Sequence, residues 1–316
     1  MPNCVVSRPP DSIAGAQPGR SPEVFRILLL SDLHLGIKPS ASDRLVTNDR
    51  LLDKTDYVVL LGDQVGSYGT NREYGLLDHF LARLDRPYWA VNGNHEFYFE
   101  VVEESDPHHG RIWREQSPQA KLEQLGKFKR FFGFEQLWHA EHTDLGSFIF
   151  LGLDTVGDHK VEGLSADQRR FLTEQLTEVA DRPTYVFCHA PLMLDRRLDM
   201  NYYDTQRTAC VELGHEFQKL LAGRMAPLFW FSGHIHLRPD HYLFAPYQLG
   251  PQVWQVHCPD SWGYSRWMRE HLIPQRHEGL FSRYLEIRQG GVSVVTHDHN
   301  SGADSGRYEI AFDVRL

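Results

Sequence analysis

The sequence predicts a layered α/β domain, on three observations. Seven short apolar runs recur along the chain, helix-like stripes lie between several of them, and alternating apolar–polar segments close it. Uninterrupted apolar runs of this length fit strands covered on both faces, whereas alternation marks half-exposed antiparallel strands. Strand and helix patterns that alternate along a chain pack as layers around a sheet.

Residues 1–23 are rich in Pro, Ser and Gly and are expected as a flexible lead-in, with the domain running over 24–316. The apolar runs are Phe25–Ser31, Tyr57–Leu61, Tyr88–Val91, Phe148–Leu153, Thr184–Cys188, Leu228–Phe231 and Val253–Val256. Glu73–Leu84 places Leu76, Leu77, Phe80, Leu81 and Leu84 on one helical stripe. Gln119–Phe132 also reads as a helix. Ser165–Ala180 opens with Ser165 and Gln168, a capping-box pair, and continues with Phe171, Leu172, Leu176 and Val179. Tyr284–Arg288, Val292–His297 and Tyr308–Val314 are the alternating segments. The stretch 97–144 holds Pro, His, charge and one helix-like piece; it is expected as a cap-like insertion, because a structureless loop that long is unusual.

Composition narrows the function classes. The chain has 316 residues, 41% hydrophobic and 24% charged, enough to bury a sizeable core. Lys and Arg total 33 against 42 Asp and Glu, a net charge of −9, which disfavours a protein that coats nucleic acid by neutralising phosphates. The four cysteines form no CxxC pair, so neither a disulfide scaffold nor a cysteine zinc site is expected. No apolar signal core precedes Glu23 and no apolar run is long enough to span a bilayer, so a cytoplasmic setting is expected. Eighteen histidines are the unusual feature of an acidic chain. Histidine is the commonest metal ligand and the natural acid–base group near neutral pH.

The residues directly after each buried run explain part of that excess. Phe25–Leu30 leads into Ser31-Asp32-Leu33-His34; Tyr57–Leu61 leads into Gly62-Asp63; Tyr88–Val91 leads into Asn92-Gly93-Asn94-His95-Glu96. His189 comes after Thr184–Cys188, and Ser232-Gly233-His234-Ile235-His236 after Leu228–Phe231. Ligands bind outside the carboxyl ends of strands in open α/β sheets, so these groups converge on one edge. Asp32, His34, Asp63, Asn94, His189, His234 and His236 supply seven mixed nitrogen and oxygen donors. That set suits Zn, Mn, Fe or Co better than Ca, and a pair of such ions is the expected cofactor. Glycines beside Asp63, Asn94 and His234 permit the turns that aim the side chains.

The ordered set resembles the five motifs of the calcineurin-like metallophosphoesterase superfamily over roughly residues 25–300. The resemblance implies two packed mixed β-sheets flanked by helices, in α/β/β/α layers. It implies that Asp32, His34 and His236 hold one metal, that Asn94, His189 and His234 hold the other, and that Asp63 bridges them. The two divalent ions could be Mn, Fe, Zn, Co or Mg. The resemblance also implies that His95 and Asn94 contact the substrate phosphate, and that His95 is the catalytic residue that stabilises or protonates the leaving oxygen. The implied activity is hydrolysis of a phosphomonoester or phosphodiester of a small substrate by attack of a metal-bound hydroxide. A nuclease of the same superfamily and a non-catalytic scaffold with this fold remain open, as does the oligomeric state.

Departures separate the branches. Asp63 is followed by Gln64-Val65-Gly66 and Gly93 is preceded by Asn92, unlike the protein Ser/Thr phosphatases. Gly66 stands where purple acid phosphatases carry a metal-binding Tyr. Ser31–Gly36 is similar to the start of double-strand-break nucleases, but the acidic charge offers that reading little support. The Leu164-x-x-x-Gln168 helix before His189 is similar to the cyclic-nucleotide phosphodiesterase branch and related bacterial phosphoesterases. Phe97 and Tyr98 border the substrate in one reading of the turn. The remaining histidines, His108 and His109 among them, are expected as surface or satisfied polar residues. The Trp254–Trp267 aromatic segment is expected chiefly as core.

Overall fold

The computed structural model describes residues 12–13, 24–36, 39–47, 49–66, 68–102, 112–157, 162–193, 210–213, 215–237, 239–241, 243–261, 264–265, 275–276 and 279–312. The expectations for His108, His109, Trp262 and Trp267 lie outside these residues. The first half runs β1 (Phe25–Leu30), α1 (Pro39–Val46), α2 (Asp49–Leu52), β2 (Tyr57–Leu61), α3 (Asn71–Leu84), β3 (Tyr88–Val91), β4 (Phe99–Val102), β5 (Ile112–Glu115), α4 (Pro118–Phe132), β6 (Trp138–Thr143) and β7 (Gly146–Leu151). The second half runs α5 (Ala166–Glu178), β8 (Thr184–Cys188), β9 (Leu192–Met193), β10 (Val211–Glu212), α6 (His215–Ala222), β11 (Leu228–Ser232), β12 (Tyr247–Gly250), β13 (Val253–His257), β14 (Tyr264–Ser265), β15 (Gln275–Arg276), β16 (Phe281–Arg288), β17 (Gly291–Asp298) and β18 (Ala303–Ala311).

Two six-stranded mixed sheets carry the fold. The first is ordered β18-β17-β16-β1-β2-β3, with β1, β2 and β3 parallel and the other three antiparallel. The second is ordered β12-β13-β11-β8-β7-β6, with β7, β8, β11 and β13 parallel and an antiparallel strand at each edge. Between the sheets, Ile27, Leu29, Val59 and Leu61 meet Phe148, Phe150, Phe187 and Phe231 in one apolar cluster. The outer face of the first sheet packs on α1, α3 and α4 through Leu28, Leu60, Leu77, Phe80 and Phe128. The outer face of the second packs on α5 and α6 through Ile149, Val186, Leu172, Leu176 and Leu221. The layers are therefore α/β/β/α, as the resemblance implied. In-register aromatics stack across the second sheet: Phe150, Phe187 and Phe231 have ring centroids 5.1 and 5.2 Å apart.

Local chemistry sets the boundaries. α3 starts two residues earlier than its apolar stripe, because Thr70 and Glu73 form a capping box. At α5 the Ser165 hydroxyl accepts the Gln168 N–H, but the Gln168 side chain donates instead to Gly152 O. Asp154 Oδ1 takes its place and accepts the Ser165 N–H at 2.6 Å. The expectation of half-exposed closing strands does not hold: β18 is exposed except at Gly306 and Ile310, and β16 and β17 are buried along most of their length. Glu286 keeps its charge there by pairing with Arg26, Arg288 and Arg307. Of the N-terminal segment, Ile13 is fully buried in the intersheet cluster. The stretch 97–144 divides three ways: a β4–β5 hairpin, α4 in the helical layer, and β6 at the edge of the second sheet. No helix of the described residues is long and apolar enough to cross a membrane.

Candidate metal centre

The strands that lead into the site run parallel to one another within each sheet, β1 with β2 and β3 and β8 with β11, so the carboxyl ends of β1, β2 and β3 lie together and face those of β8 and β11. Backbone pairing continues past the strands. Asp32 N–H donates to Gly62 O at 3.1 Å and His34 N–H to Asp63 O at 2.9 Å. Gly233 N–H donates to His189 O at 3.0 Å. These bonds hold residues in a conformation that side chains resist. Seven non-glycine residues among those described have positive φ, and five of them are Asp32, His34, Asp63, His234 and His236. Each such residue costs on the order of 1–2 kcal/mol, a cost that concentrates at functional sites. The glycines are required by close approach: a Cβ at Gly93 would lie 2.3 Å from Asp63 Oδ1, and one at Gly233 would lie 2.4 Å from Asp32 Oδ2.

The side chains converge on two carboxylates. Asp32 Oδ1 faces His236 Nε2 at 3.2 Å and the Nε2 atoms of His34 and His189 at 3.9 Å. Asp63 Oδ2 faces His189 Nε2 at 3.2 Å, His95 Nε2 at 3.9 Å and His34 Nε2 at 4.0 Å. Their second oxygens are spent on the scaffold: Asp32 Oδ2 accepts Ser31 Oγ–H and His234 N–H, and Asp63 Oδ1 accepts His95 N–H. Asp63 belongs to two donor groups at once, Asp32-His34-Asp63-His236 and Asp63-His189-His234. Asn94 occupies the turn between Gly93 and His95, and its Oδ1 is buried without a hydrogen-bond donor among the described residues.

The donor set fits divalent metal ions. Asp32 Oδ1 and His189 Nε2 are also buried without hydrogen-bond partners among the described residues. His34 Nε2 and His236 Nε2 point at one another across 3.3 Å, an approach that a shared cation would reward. Burial opposes ionisation of Asp32, yet His236 and His189 hold its carboxyl well below the ordinary carboxylate range. Asp63 is likewise held low against burial, chiefly by His189 and His95. Burial, with His95 beside it, drives His34 down to about 3, leaving its ring neutral and able to ligate. His189 is raised to about 9 against burial by Asp63.

Several contributors lie outside the sequence-derived set. Glu96 accepts backbone N–H bonds from Asp63, Val65 and Gly93. Glu162 Oε1 lies 2.8 Å from His234 Nε2, and Asp260 Oδ2 lies 3.0 Å from His236 Nδ1. Glu96 could have been found by its place directly after His95. Glu162 and Asp260 sit in loops with no spacing signal. The N–H groups of Phe97 and Tyr98 both donate to Asn94 O, and their side chains are buried in the cluster behind the second sheet, where Lys121 Nζ sits 3.8 Å above the Tyr98 ring.

A probable glycerophosphodiester phosphodiesterase of Arcobacter nitrofigilis is 26% identical over 196 residues, which cover 60% of this chain and 59% of that relative's own length. Among solved structures, a purple acid phosphatase from yellow lupin seeds superposes with a TM-score of 0.61 at 15% identity, covering 95% of this chain and 55% of the other. The GAP50 anchor of the Plasmodium inner membrane complex superposes with a TM-score of 0.55 at 14% identity, covering 92% of this chain and 89% of the other. At these identities the two structures share the fold alone. The calcineurin-like phosphoesterase family profile matches residues 25–238. That span opens on the first residue of β1 and closes two residues after His236, so it takes in every strand-end motif, and the chain belongs to the calcineurin-like phosphoesterase family.

Proposed function

We propose that the protein hydrolyses a phosphoric ester with two divalent cations held at the strand ends, and that its substrate is a phosphodiester. The observation that carries this is Asp63, the one residue common to both donor groups. A shared carboxylate is what a bridged pair of ions needs. On this reading Asp32, His34 and His236 hold one cation, Asn94, His189 and His234 hold the other, and Asp63 bridges them. When bound, such a pair supplies positive charge to the phosphoryl oxygens and an acidified water as nucleophile. Mn, Fe, Zn, Co or Mg can serve at a nitrogen–oxygen site.

The chain's own residues supply the rest. His95 is fixed by its N–H bond to Asp63 Oδ1, and its Nε2 lies 3.9 Å from Asp63 Oδ2. From there it holds a proton for the departing oxygen. Asn94 and His95 both reach the phosphate. The diester preference is supported by the likeness to a protein named as a probable glycerophosphodiester phosphodiesterase. Cys188 and Cys258 are free and buried, which suits the reducing, cytoplasmic setting in this reading.

The test uses chelator-stripped full-length protein resupplied with Mn, Zn, Co or Mg. Bis(p-nitrophenyl) phosphate should be cleaved faster than p-nitrophenyl phosphate, and both activities should vanish in Asn94→Ala and His234→Ala. Full activity in either variant removes the ligand assignment. Faster monoester cleavage removes the diester preference. No cleavage of either ester under any cation leaves a non-catalytic scaffold.

A further inference from the structure

The two histidines of the Gly233-His234-Ile235-His236 run are each held by a carboxylate from a different loop, through opposite ring nitrogens. Glu162 Oε1 meets His234 Nε2 at 2.8 Å, which leaves Nδ1 for the Asp63-His189-His234 group. Asp260 Oδ2 meets His236 Nδ1 at 3.0 Å, which turns Nε2 to Asp32 Oδ1 at 3.2 Å.

Glu162 is buried, with 3% of its surface exposed, and its Oε2 has no hydrogen-bond partner among the described residues. An interior carboxylate spent on one imidazole is costly unless its charge is used. Its delivery is also built into the fold. Asn92 Nδ2 donates to Leu153 O at 2.7 Å and Gln168 Nε2 to Gly152 O at 2.8 Å. On the far side, Ser165 N–H donates to Asp154 Oδ1 and Asp154 N–H to Gly163 O. The Leu164-x-x-x-Gln168 pattern thus has a physical meaning: Leu164 anchors in the apolar layer, Gln168 ties the strand end, and Glu162, two residues before Leu164, reaches His234.

We infer that Glu162 is a positioning residue that sets His234 for the cation on the Asp63-His189-His234 side, and that Asp260 sets His236 for the cation on the other. The inference rests on the two-cation reading above. A ligand imidazole whose second nitrogen meets a carboxylate has a fixed tautomer and a more basic donor atom, and losing that partner lowers metal affinity about 10–100-fold.

The experiment is calorimetric titration of chelator-stripped full-length protein with Mn²⁺, on wild type, Glu162→Gln, Glu162→Leu and Asp260→Asn. Visible spectra on Co²⁺ addition report ligand geometry. Wild type should show two binding events. The Glu162 variants should weaken one event about 10–100-fold, Asp260→Asn should weaken the other, and Glu162→Leu should alter the Co²⁺ spectrum at one equivalent only. Unchanged affinities in folded Glu162 variants, or equal weakening of both events, overturns the inference. If Glu162→Leu fails to fold, Glu162→Gln decides alone, since it keeps the size and an acceptor but drops the charge. A wild type that binds no divalent cation overturns the two-cation reading itself, a result visible before any variant is made.

Discussion

The Glu96 carboxylate accepts the backbone N–H of Asp63 at 3.0 Å. The same Oε2 accepts Gly93 N–H at 2.6 Å, and Oε1 accepts Val65 N–H at 3.1 Å. One fully buried side chain therefore joins the loop after β2 to the turn after β3. Both oxygens act as acceptors, so Glu96→Gln must set an amide N–H₂ against a backbone N–H. The expected cost is about 1–3 kcal/mol for the unsatisfied donor, accompanied by weaker cation binding because Asp63 loses its fixed backbone. Urea unfolding measures the first and Mn²⁺ titration the second. A variant with wild-type stability would show that the three bonds do not hold the loop.

His95→Gln should separate cation binding from turnover. His95 is absent from both donor groups, although its ring lies edge-on to His34 with centroids 4.6 Å apart. Binding should survive, while turnover falls on the order of 10²–10⁴-fold, the usual contribution of a positioned acid or base. The loss should be larger for an alkyl ester than for a nitrophenyl ester, whose leaving oxygen needs no proton. Equal losses on both esters would assign His95 to phosphate contact alone.

Much of this centre is legible in the sequence because its donors stand directly after apolar runs, where strand ends and turns fix their position. Asp32, Asp63, His189 and His234 need only that rule. Glu162 escapes it, because its partner His234 is 72 positions away and meets it only through a loop tied down by Asn92 and Gln168. The strands β2, β3 and β8 match their apolar runs residue for residue. β6 is hidden because Trp138-His139-Ala140-Glu141-His142-Thr143 is a half-buried edge strand with mixed polarity. Its partner β7, buried throughout, is visible. β16 and β17 mislead for the opposite reason: alternation implies one wet face, but here buried polar side chains find partners, Glu286 with Arg26, Arg288 and Arg307, Ser282 with His299, and His297 with Asp304.

Phe187→Ala should destabilise the protein by about 3–5 kcal/mol, the usual range for a fully buried aromatic. Phe187 is the middle ring of the Phe150–Phe187–Phe231 column and lies two residues before His189. Phe187→Leu should recover most of that loss by filling the space. Chemical denaturation of the three proteins checks the order. Equal stability of Ala and Leu variants would mean that the column is worth no more than its backbone pairing.

Glu286 gives the acid limb of the stability profile. Burial favours its neutral form, but Arg307, Arg26 and Arg288 overcome this and hold the carboxyl at about 2, below its ordinary 4.5. The contacts are 2.6 Å to Arg307 Nη2, 2.7 Å to Arg288 Nη2 and 2.9 Å to Arg26 Nε. A depressed carboxyl contributes stability that is fully present above the unfolded value and is lost as pH falls through the folded one. Wild type should therefore exceed Glu286→Gln most at about pH 6, and the gap should close between about 4.5 and 2. High salt should narrow the gap at every pH, since the three guanidinium groups are partly exposed. Urea midpoints of the two proteins across that range are the measurement. A gap that stays constant down to about pH 2 would mean that Glu286 stabilises β16 by shape rather than by charge.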